Sequence, residues 1–308
     1  MNKVKLILLI FFSFFIAQSC NQQKGSEDTV DTPDSGTVKF VADESYQPIV
    51  AQEIDVFKRL NINAHPTIVY KPENEALKFL LNDSVNVALL ARDLNAEERK
   101  FYASKNIHPE ANRIATDAIT LIVNQASNDT LITIGELKQM LTGKSNTQKN
   151  LVFDNANSSL YRYLKQLSGV NDIKQKNIYA LKNNRQVLEY VTKNAGAIGV
   201  IGLGWLGDPD ADYADLVAKV KVMSVKDESS KKYPNQYFLP SQNTLMLKQY
   251  PLSRNLYIIN CSGRMGLGAT FTRFLLGEKG QRMIMMSNMM ADSIPQREII
   301  IKHKYQSN

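Results

Sequence analysis

The chain has 308 residues, a length that suits two modest domains, and its formal net charge is +7 from 37 basic and 30 acidic side chains. The basic residues are scattered among the acidic ones, and no run of Lys and Arg interleaved with aromatic residues occurs. The composition therefore gives no indication of nucleic-acid binding, while a mild preference for anions stays open.

The first twenty residues have the order of a secretory signal. Two early lysines precede an apolar run at 6–17, which is too short to be a membrane-spanning helix. With small residues before Cys20, the segment resembles a bacterial lipoprotein signal, in which the signal peptide 1–19 is removed and the Cys20 thiol is acylated. Gln18 and Ser19 make the cleavage motif looser than usual, so plain secretion or a retained anchor remains an alternative. In each case the body of the protein is expected outside the cytoplasm.

Residues 20–36 form a polar stretch with almost no apolar side chains. Such a segment cannot bury enough surface to order itself, and it is predicted to be a flexible tether. The only other cysteine in the sequence is Cys261. If Cys20 carries lipid, no disulfide can form, and stability has to come from packing.

From residue 37 onward, predicted strands alternate with predicted helices. The predicted strands are 38–42, 67–70, 85–91, 119–123, 151–153, 178–181 and 197–201. The predicted helices begin near Pro48, Glu75, Asn95, Thr133, Ser159 and Asn184. Capping boxes of Asn95 with Glu98 and of Thr133 with Glu136 support two of these starts. The alternation predicts an α/β fold of right-handed β-α-β units with open, mainly parallel sheets.

Three of the strand-to-helix junctions carry short polar or charged side chains. They are junction one at 43–48, with Ser45; junction two at 90–94, with Arg92 and Asp93; and junction three at 153–159, which leads into a helix carrying Arg162. Free backbone N–H groups, hydroxyls and a positive helix end make each junction a candidate anion site. Taken singly, each is better explained as a helix cap or a surface ion pair than as a ligand site. Their recurrence at equivalent positions favours a ligand, because ligands of such sheets bind beyond the carboxyl ends of the strands.

Several segments of the chain, taken in order, resemble the phosphate-binding proteins of bacterial ABC importers. They are VADESYQPI at 41–49, VALLARDL at 87–94, ATDAITLIVN at 115–124, LKQMLTGK at 137–144, FDNANSS at 153–159, GAIGV at 196–200 and YPLSRNLY at 250–257. The resemblance runs from about residue 37 to the end and is closest to a lipoprotein branch associated with Bacteroidota. It rests on the order and spacing of the segments.

The resemblance implies a two-domain periplasmic-binding-protein fold of type II, with each domain an open, mainly parallel sheet flanked by helices. Domain I would consist of 37–118 plus 245–308 and domain II of 119–244, with the chain crossing near 116–123 and returning near 237–247. A small oxyanion, with phosphate as the first candidate, would lie in the cleft between the domains and be enclosed by hinge closure. The implied protein is a monomer without cofactor, lipid-anchored in the cell envelope, facing the periplasm and serving an ABC permease of the inner membrane.

The resemblance also implies a set of ligand-binding residues. Ser45 with the N–H of Tyr46 would hold one edge of the anion. Asp93 would accept the proton of a protonated phosphate, which would select phosphate over sulfate. The donors from domain II would be Asn155, Asn157, Ser158 and Ser159. The family usually has an arginine just before this segment, where the chain has Phe153, Asp154 and Asn155, so the positive charge would come from Arg92, Arg162 or Lys71.

Other functional classes find less support. Gly202, Gly204 and Gly207 form a G-x-G-x-x-G motif, but residues 208–210 interrupt any following helix, so a turn that carries Trp205 is favoured over a dinucleotide site. The three histidines have unrelated contexts, and no nucleophile-base pair or metal-ligand spacing is visible, so no catalytic or metal site is predicted. A sensor or scaffold lipoprotein of the same fold remains the alternative, because a fold does not fix a function.

Overall fold

The computed structural model describes residues 31–293, so the predicted signal peptide 1–19 and the predicted acylation site Cys20 lie outside the described residues. The strands are β1 (Gly36–Asp43), β2 (Ala64–Lys71), β3 (Val87–Leu90), β4 (Glu110–Asn124), β5 (Leu131–Thr133), β6 (Asn150–Phe153), β7 (Ile178–Ala180), β8 (Ala197–Gly202), β9 (Val220–Val222), β10 (Ser224–Lys226), β11 (Ser253–Asn260) and β12 (Met290–Ala291). The helices are α1 (Gln47–Leu60), α2 (Glu73–Leu81), α3 (Ala96–Ser104), α4 (Ile134–Thr142), α5 (Ser159–Ser168), α6 (Asn184–Lys193), α7 (Gly204–Gly207), α8 (Ala214–Val217), α9 (Gln242–Met246), α10 (Leu267–Leu276) and α11 (Glu278–Met286).

The strands form a long, mixed sheet in the order β2-β1-β3-β11-β4-β8-β6-β7. Parallel pairs lie at both ends, where β1 pairs with β2 and β3, and β6 pairs with β7 and β8. The 15-residue strand β4 joins the two parts. Its first half, up to Ala118, pairs antiparallel with β11, and its second half, from Ile119, pairs antiparallel with β8. One strand therefore runs through both parts of this sheet, and the two parts pack against different helices.

Each part of the sheet has its own hydrophobic core. In the first part, α1 places its apolar side against β1 and α10, and the Phe271 ring lies 5.2 Å from the Phe40 ring and 5.1 Å from the Phe57 ring. In the second part, the buried Leu121 of β4 packs with apolar residues of α4 and α5. Aromatic rings at these distances add to the burial of apolar area, so the two halves are stabilised separately.

The helix starts predicted from the sequence are confirmed at several places. The capping boxes Asn95 with Glu98 and Thr133 with Glu136 both form, because each side chain bonds the backbone of the other. Helix α6 begins at Asn184, as predicted. The predicted strand 119–123 is only the second half of β4, and the antiparallel partner β11 was not predicted, because both depend on pairing between distant segments.

The N-terminal end of the described residues is fixed to the first part of the fold. The side chain of Asp31, which is 7% exposed, accepts a hydrogen bond of 2.6 Å from the N–H of Leu267 at the start of α10. Arg264 donates to the carbonyl oxygen of Asp31 at 3.0 Å and also pairs with its carboxylate. Asp31, which lies in the predicted tether 20–36, is thus held beside the start of α10, whereas residues 32–34 are exposed. Within residues 31–293, no helix is long and apolar enough to cross a bilayer.

Candidate functional site

Junctions one and three meet at two buried serines. Ser45 lies in the 3₁₀ turn Glu44–Tyr46 after β1, and Ser159 is the first residue of α5 after β6. Their hydroxyl oxygens are 3.2 Å apart, and the two residues are 1% and 0% exposed. The carboxylate of Asp43 accepts a 3.1 Å hydrogen bond from the N–H of Ser45, which fixes the turn. Two of the three predicted anion junctions therefore share one location.

Arg254 supplies the positive charge at this location. This residue of β11 is 6% exposed, and its Nη1 donates to Ser159 Oγ at 2.6 Å. Its Nε and Nη2 donate to one oxygen of the fully buried Asp117 of β4, at 3.1 and 2.9 Å. The guanidinium also lies 4.5 Å from the centre of the Tyr46 ring. Such a forked ion pair holds the guanidinium in one orientation, with Nη1 left to face the serines.

Sequence reasoning missed Arg254 and Asp117 as members of the site. Both lie within segments that carried the family resemblance, 250–257 and 115–124, but neither follows a strand-to-helix junction. The pairing register of β11 with β4 places Arg254 opposite Asp117. An opposite charge at a directly paired strand position was the one available signal, and it required knowing that these strands pair.

Junction three forms a second group of hydrogen bonds behind Ser159. The buried carboxylate of Asp154 accepts from Ser158 Oγ at 2.5 Å and from the N–H of Asn155 at 2.8 Å. Ser158 in turn caps α5 by accepting from the N–H of Tyr161. The Asn155 side chain accepts from the N–H of Asn157 at 2.8 Å. These predicted ligand residues are thus brought together, and Ser158 and Asn155 are occupied in holding the loop.

Arg162 lies one turn after Ser159 in α5, but its charge is already compensated. Its Nε and Nη2 donate to the two oxygens of Glu73 at 2.5 and 3.0 Å. Glu73 is 1% exposed and also accepts from the N–H of Ala91. Lys71, another candidate, lies 3.8 Å from the carboxylate of Glu75.

The charged residues of junction two bond to the helix that follows them. Arg92 donates to both oxygens of Glu98 at 2.8 and 2.7 Å, and Asp93 accepts from Arg99 at 2.6 and 2.7 Å. Asp93 also accepts from the N–H of Leu94. Among the described residues, no hydrogen bond links Asp93 to Ser45 or Ser159. Its predicted contact with a ligand stays a prediction.

Buried acids give the site unusual proton equilibria. Burial, followed by the charge of Glu73, raises the pKa of Asp43 to about 6, while Arg254 opposes the rise. Burial, followed by the charge of Asp154, raises the pKa of Glu44 to about 8. Burial likewise raises the pKa of Asp154 to about 7. Oδ2 of Asp43 is buried and finds no hydrogen-bond partner within residues 31–293. The site therefore offers hydroxyl and guanidinium donors together with one unused carboxylate acceptor.

Several hydrogen bonds join the two halves of the fold around the serines and the buried acids. The indole N–H of Trp205 in α7 donates to the carbonyl oxygen of Ser45 at 2.9 Å, so the glycine-rich segment does carry Trp205 to the site. Asn184 of α6 donates to both oxygens of Glu44 at 3.3 and 3.0 Å. The N–H of Asn74 donates to the carbonyl oxygen of Asn157 at 3.1 Å. Both halves of the fold therefore contribute to one buried cluster.

Comparison with known proteins agrees with this architecture. The profile of the PBP superfamily domain matches residues 28–279. The phosphate-binding protein PstS of Staphylococcus aureus is 28% identical over 223 residues, which cover 66% of this chain and 62% of that protein. The chain thus spans less than two thirds of the curated relatives that it matches.

Two solved structures share the fold. A putative phosphate ABC transporter substrate-binding protein from Clostridium perfringens, solved with bound phosphate, superposes with a TM-score of 0.68 at 18% identity, covering 84% of this chain and 100% of that one. An ABC-type phosphate transport receptor from Vibrio cholerae gives 0.62 at 17% identity, with coverage of 83% and 100%. The chain belongs to the periplasmic-binding-protein superfamily and has its two-domain type II fold. Within that superfamily it is similar to phosphate-type substrate-binding proteins.

Proposed function

We propose that the chain captures a small, protonated oxyanion, with phosphate as the first candidate, and presents it to an ABC importer. The observation that supports this most is the convergence of Ser45 Oγ, Ser159 Oγ and Arg254 Nη1 beside the unused oxygen of Asp43. Hydroxyl and guanidinium groups are strong donors to an oxyanion when water is excluded. The similarity to phosphate-binding proteins points to the same ligand class.

Asp43 is our candidate for the group that recognises the ligand's proton. A buried carboxylate oxygen can accept a hydrogen bond from a protonated phosphate. Sulfate has no proton to donate, so the carboxylate oxygen and the sulfate oxygen would face each other without a hydrogen bond. Resemblance to the family assigned this role to Asp93 instead. The two assignments differ in their consequences: Asp43→Asn should relax the preference for phosphate over sulfate if Asp43 reads the proton, and Asp93→Asn should do so if Asp93 does.

Ligand binding would be coupled to closure of two lobes. We propose that residues 37–118 plus 245–308 move against residues 119–244, since the pairing partner of β4 changes between Ala118 and Ile119. The bonds of Trp205 with Ser45 and of Arg162 with Glu73 would form only in the closed state. A permease could then distinguish loaded from empty protein by its shape.

Acylation at Cys20 would keep the protein at the membrane surface, in the inner or the outer membrane.

Calorimetry with the full chain tests the binding step. Phosphate should bind more tightly than sulfate, and Ser159→Ala should weaken phosphate binding by about ten- to hundredfold, because it removes a charge-assisted hydrogen bond. Ser168→Ala is the matched control, since Ser168 lies at the other end of α5 and bonds only the helix backbone. Equal phosphate affinity in wild type, Ser159→Ala and Ser168→Ala would refute the proposed site. Phosphate binding without any defect in phosphate uptake in a deletion strain would favour the sensor or scaffold alternative.

A further inference from the structure

A separate cavity of about 300 Å³ lies beside the serine and arginine cluster. One wall comes from the start of α1 and from Tyr70 of β2, and the other comes from Asn183, Trp205 and Tyr213. The cavity therefore lies between the same two halves of the fold. It shares only Glu44 and Trp205 with the proposed oxyanion site, so it offers room for a different ligand.

Aromatic side chains and unused hydroxyls line this cavity. The rings of Trp205 and Tyr213 are 5.2 Å apart. Tyr213 is 4% exposed, and its hydroxyl has no hydrogen-bond partner within the described part of the chain. The buried hydroxyl of Tyr70 also lacks one among residues 31–293. Buried hydroxyls are ordinarily paired, so two unpaired ones lining one cavity indicate a polar occupant.

The charge of the cavity is negative. Asp210 and Asp212 line it, whereas Glu44, whose pKa burial raises to about 8, adds little negative charge at neutral pH. Arg185 lines it as well, but its guanidinium is engaged by the carboxylates of Asp212 and Glu189. Burial raises the pKa of Asp210, and the charges of Asp212 and Asp208 add to the rise. A surplus of acid beside aromatic rings favours a cation, because the rings attract it through their faces and the carboxylates through their charge.

The geometry favours an organic cation over a metal ion. Metal ions such as Ca²⁺ need several oxygen ligands at short range. In residues 31–293, no group of three His, Cys, Asp or Glu side chains is placed to hold a metal ion. An ammonium group with a hydrocarbon body, in contrast, could donate to Asp210 and Tyr213 while its body rests against Trp205.

We propose that this cavity binds a small alkylammonium ion, with the aromatic rings of Trp205 and Tyr213 on one side of the ion and the carboxylate of Asp210 on the other. The site differs from the proposed oxyanion site in the charge of its ligand and in all its lining residues except Glu44 and Trp205. Because its walls come from both halves of the fold, an occupant would stabilise the closed arrangement.

Trp205 makes the cavity directly observable, since it is the single tryptophan of the chain. Titration of the full chain with n-butylammonium chloride in phosphate-free buffer should change the tryptophan fluorescence saturably. The neutral 1-butanol, of similar size, and CaCl₂ should not. No saturable change with n-butylammonium, an equal response to 1-butanol, or saturation by CaCl₂ alone would each overturn the proposal.

Single-residue variants then test whether n-butylammonium binds in this cavity. Asp210→Asn should weaken n-butylammonium binding by about tenfold, and Tyr213→Phe, which keeps the ring, by about threefold or more. Asp215→Asn is the control, because it makes the same charge change five residues along without lining the cavity. Ser159→Ala should leave amine binding unchanged, which separates this site from the oxyanion site. An equal loss in Asp210→Asn and Asp215→Asn, or an unchanged affinity in Asp210→Asn, would refute the assignment.

Discussion

Replacing Arg254 with methionine should destabilise the fold by about 3–5 kcal/mol, because it removes one partner of a buried ion pair. Asp117 is 0% exposed and receives two hydrogen bonds from Arg254 and one of 3.1 Å from the N–H of Leu203. In the variant only the Leu203 bond would remain, and the carboxylate would be buried without a counter-charge. A methionine of similar length fills the space, so the loss reports charge more than volume.

The stability lost in Arg254→Met should depend on pH with a defined sign. Burial already raises the pKa of Asp117, and Arg254 opposes that rise. Without Arg254 the folded-state pKa rises further above its value in the unfolded chain. The variant should therefore bind a proton on folding, and its deficit should shrink as the pH falls toward 4 and grow as the pH rises.

Urea unfolding at pH 5 and pH 7, followed by circular dichroism, measures these free energies. Arg59→Met is the control, since Arg59 and Asp55 form an exposed pair that should be worth less than about 1 kcal/mol. The double variant Arg254→Met/Asp117→Asn should recover much of the lost stability, because Asp117 then leaves no buried carboxylate without its counter-charge. It should not recover phosphate binding. A cost for Arg254→Met no larger than for Arg59→Met, or no recovery in the double variant, would refute this reasoning.

Three further predictions concern single residues. Glu53 is 1% exposed, neither of its carboxylate oxygens is paired within the described residues, and burial raises its pKa to about 9. Glu53→Gln should therefore stabilise the fold by up to roughly 3 kcal/mol at pH 7 and remove the loss of stability that occurs as the pH rises from about 4.5 to 9. An unchanged pH profile in urea unfolding would contradict this. Gly202→Ala should weaken phosphate binding in calorimetry, since a Cβ there would lie 2.9 Å from Arg254 Nη2 and 3.0 Å from Asp117 Oδ2; an unchanged affinity would mean that these groups do not set the site. Cys20→Ser should release the protein from the membrane fraction, and retention there at unchanged mass would exclude acylation at Cys20.

Local signals in the sequence predicted the local structure well. The capping boxes at Asn95 and Thr133 act over three residues, and both form as predicted. Ser45 and Ser159 were predicted as site residues because each lies where a strand leads into a helix, and they meet although 114 residues separate them. They belong to two parallel sets, β1 with β3 and β6 with β8, that run in opposite directions in the two parts of the sheet. The carboxyl ends of the two sets meet between the halves of the fold, where ligands of such sheets bind.

The interactions that sequence reasoning missed are those that depend on partners far along the chain. Arg254 reaches Asp117 across 137 residues through the antiparallel pairing of β11 with β4, which no local pattern indicates. Arg92 and Asp93, in contrast, were predicted as ligand residues but are paired with other side chains. Both have the position expected of ligand residues, but Glu98 and Arg99 of the next helix lie within reach and pair with them. Position at a strand end therefore identified candidates, and only the three-dimensional pairing separated charges that are compensated from those that remain available.

A crystal structure of the full chain with bound phosphate tests the central proposal most directly. We expect the anion within hydrogen-bond distance of Ser45 Oγ, Ser159 Oγ and Arg254 Nη1, with one phosphate oxygen facing Oδ2 of Asp43. Phosphate bound at Arg92 and Asp93 instead, or no phosphate between the two halves of the fold at saturating concentration, would contradict the proposed site.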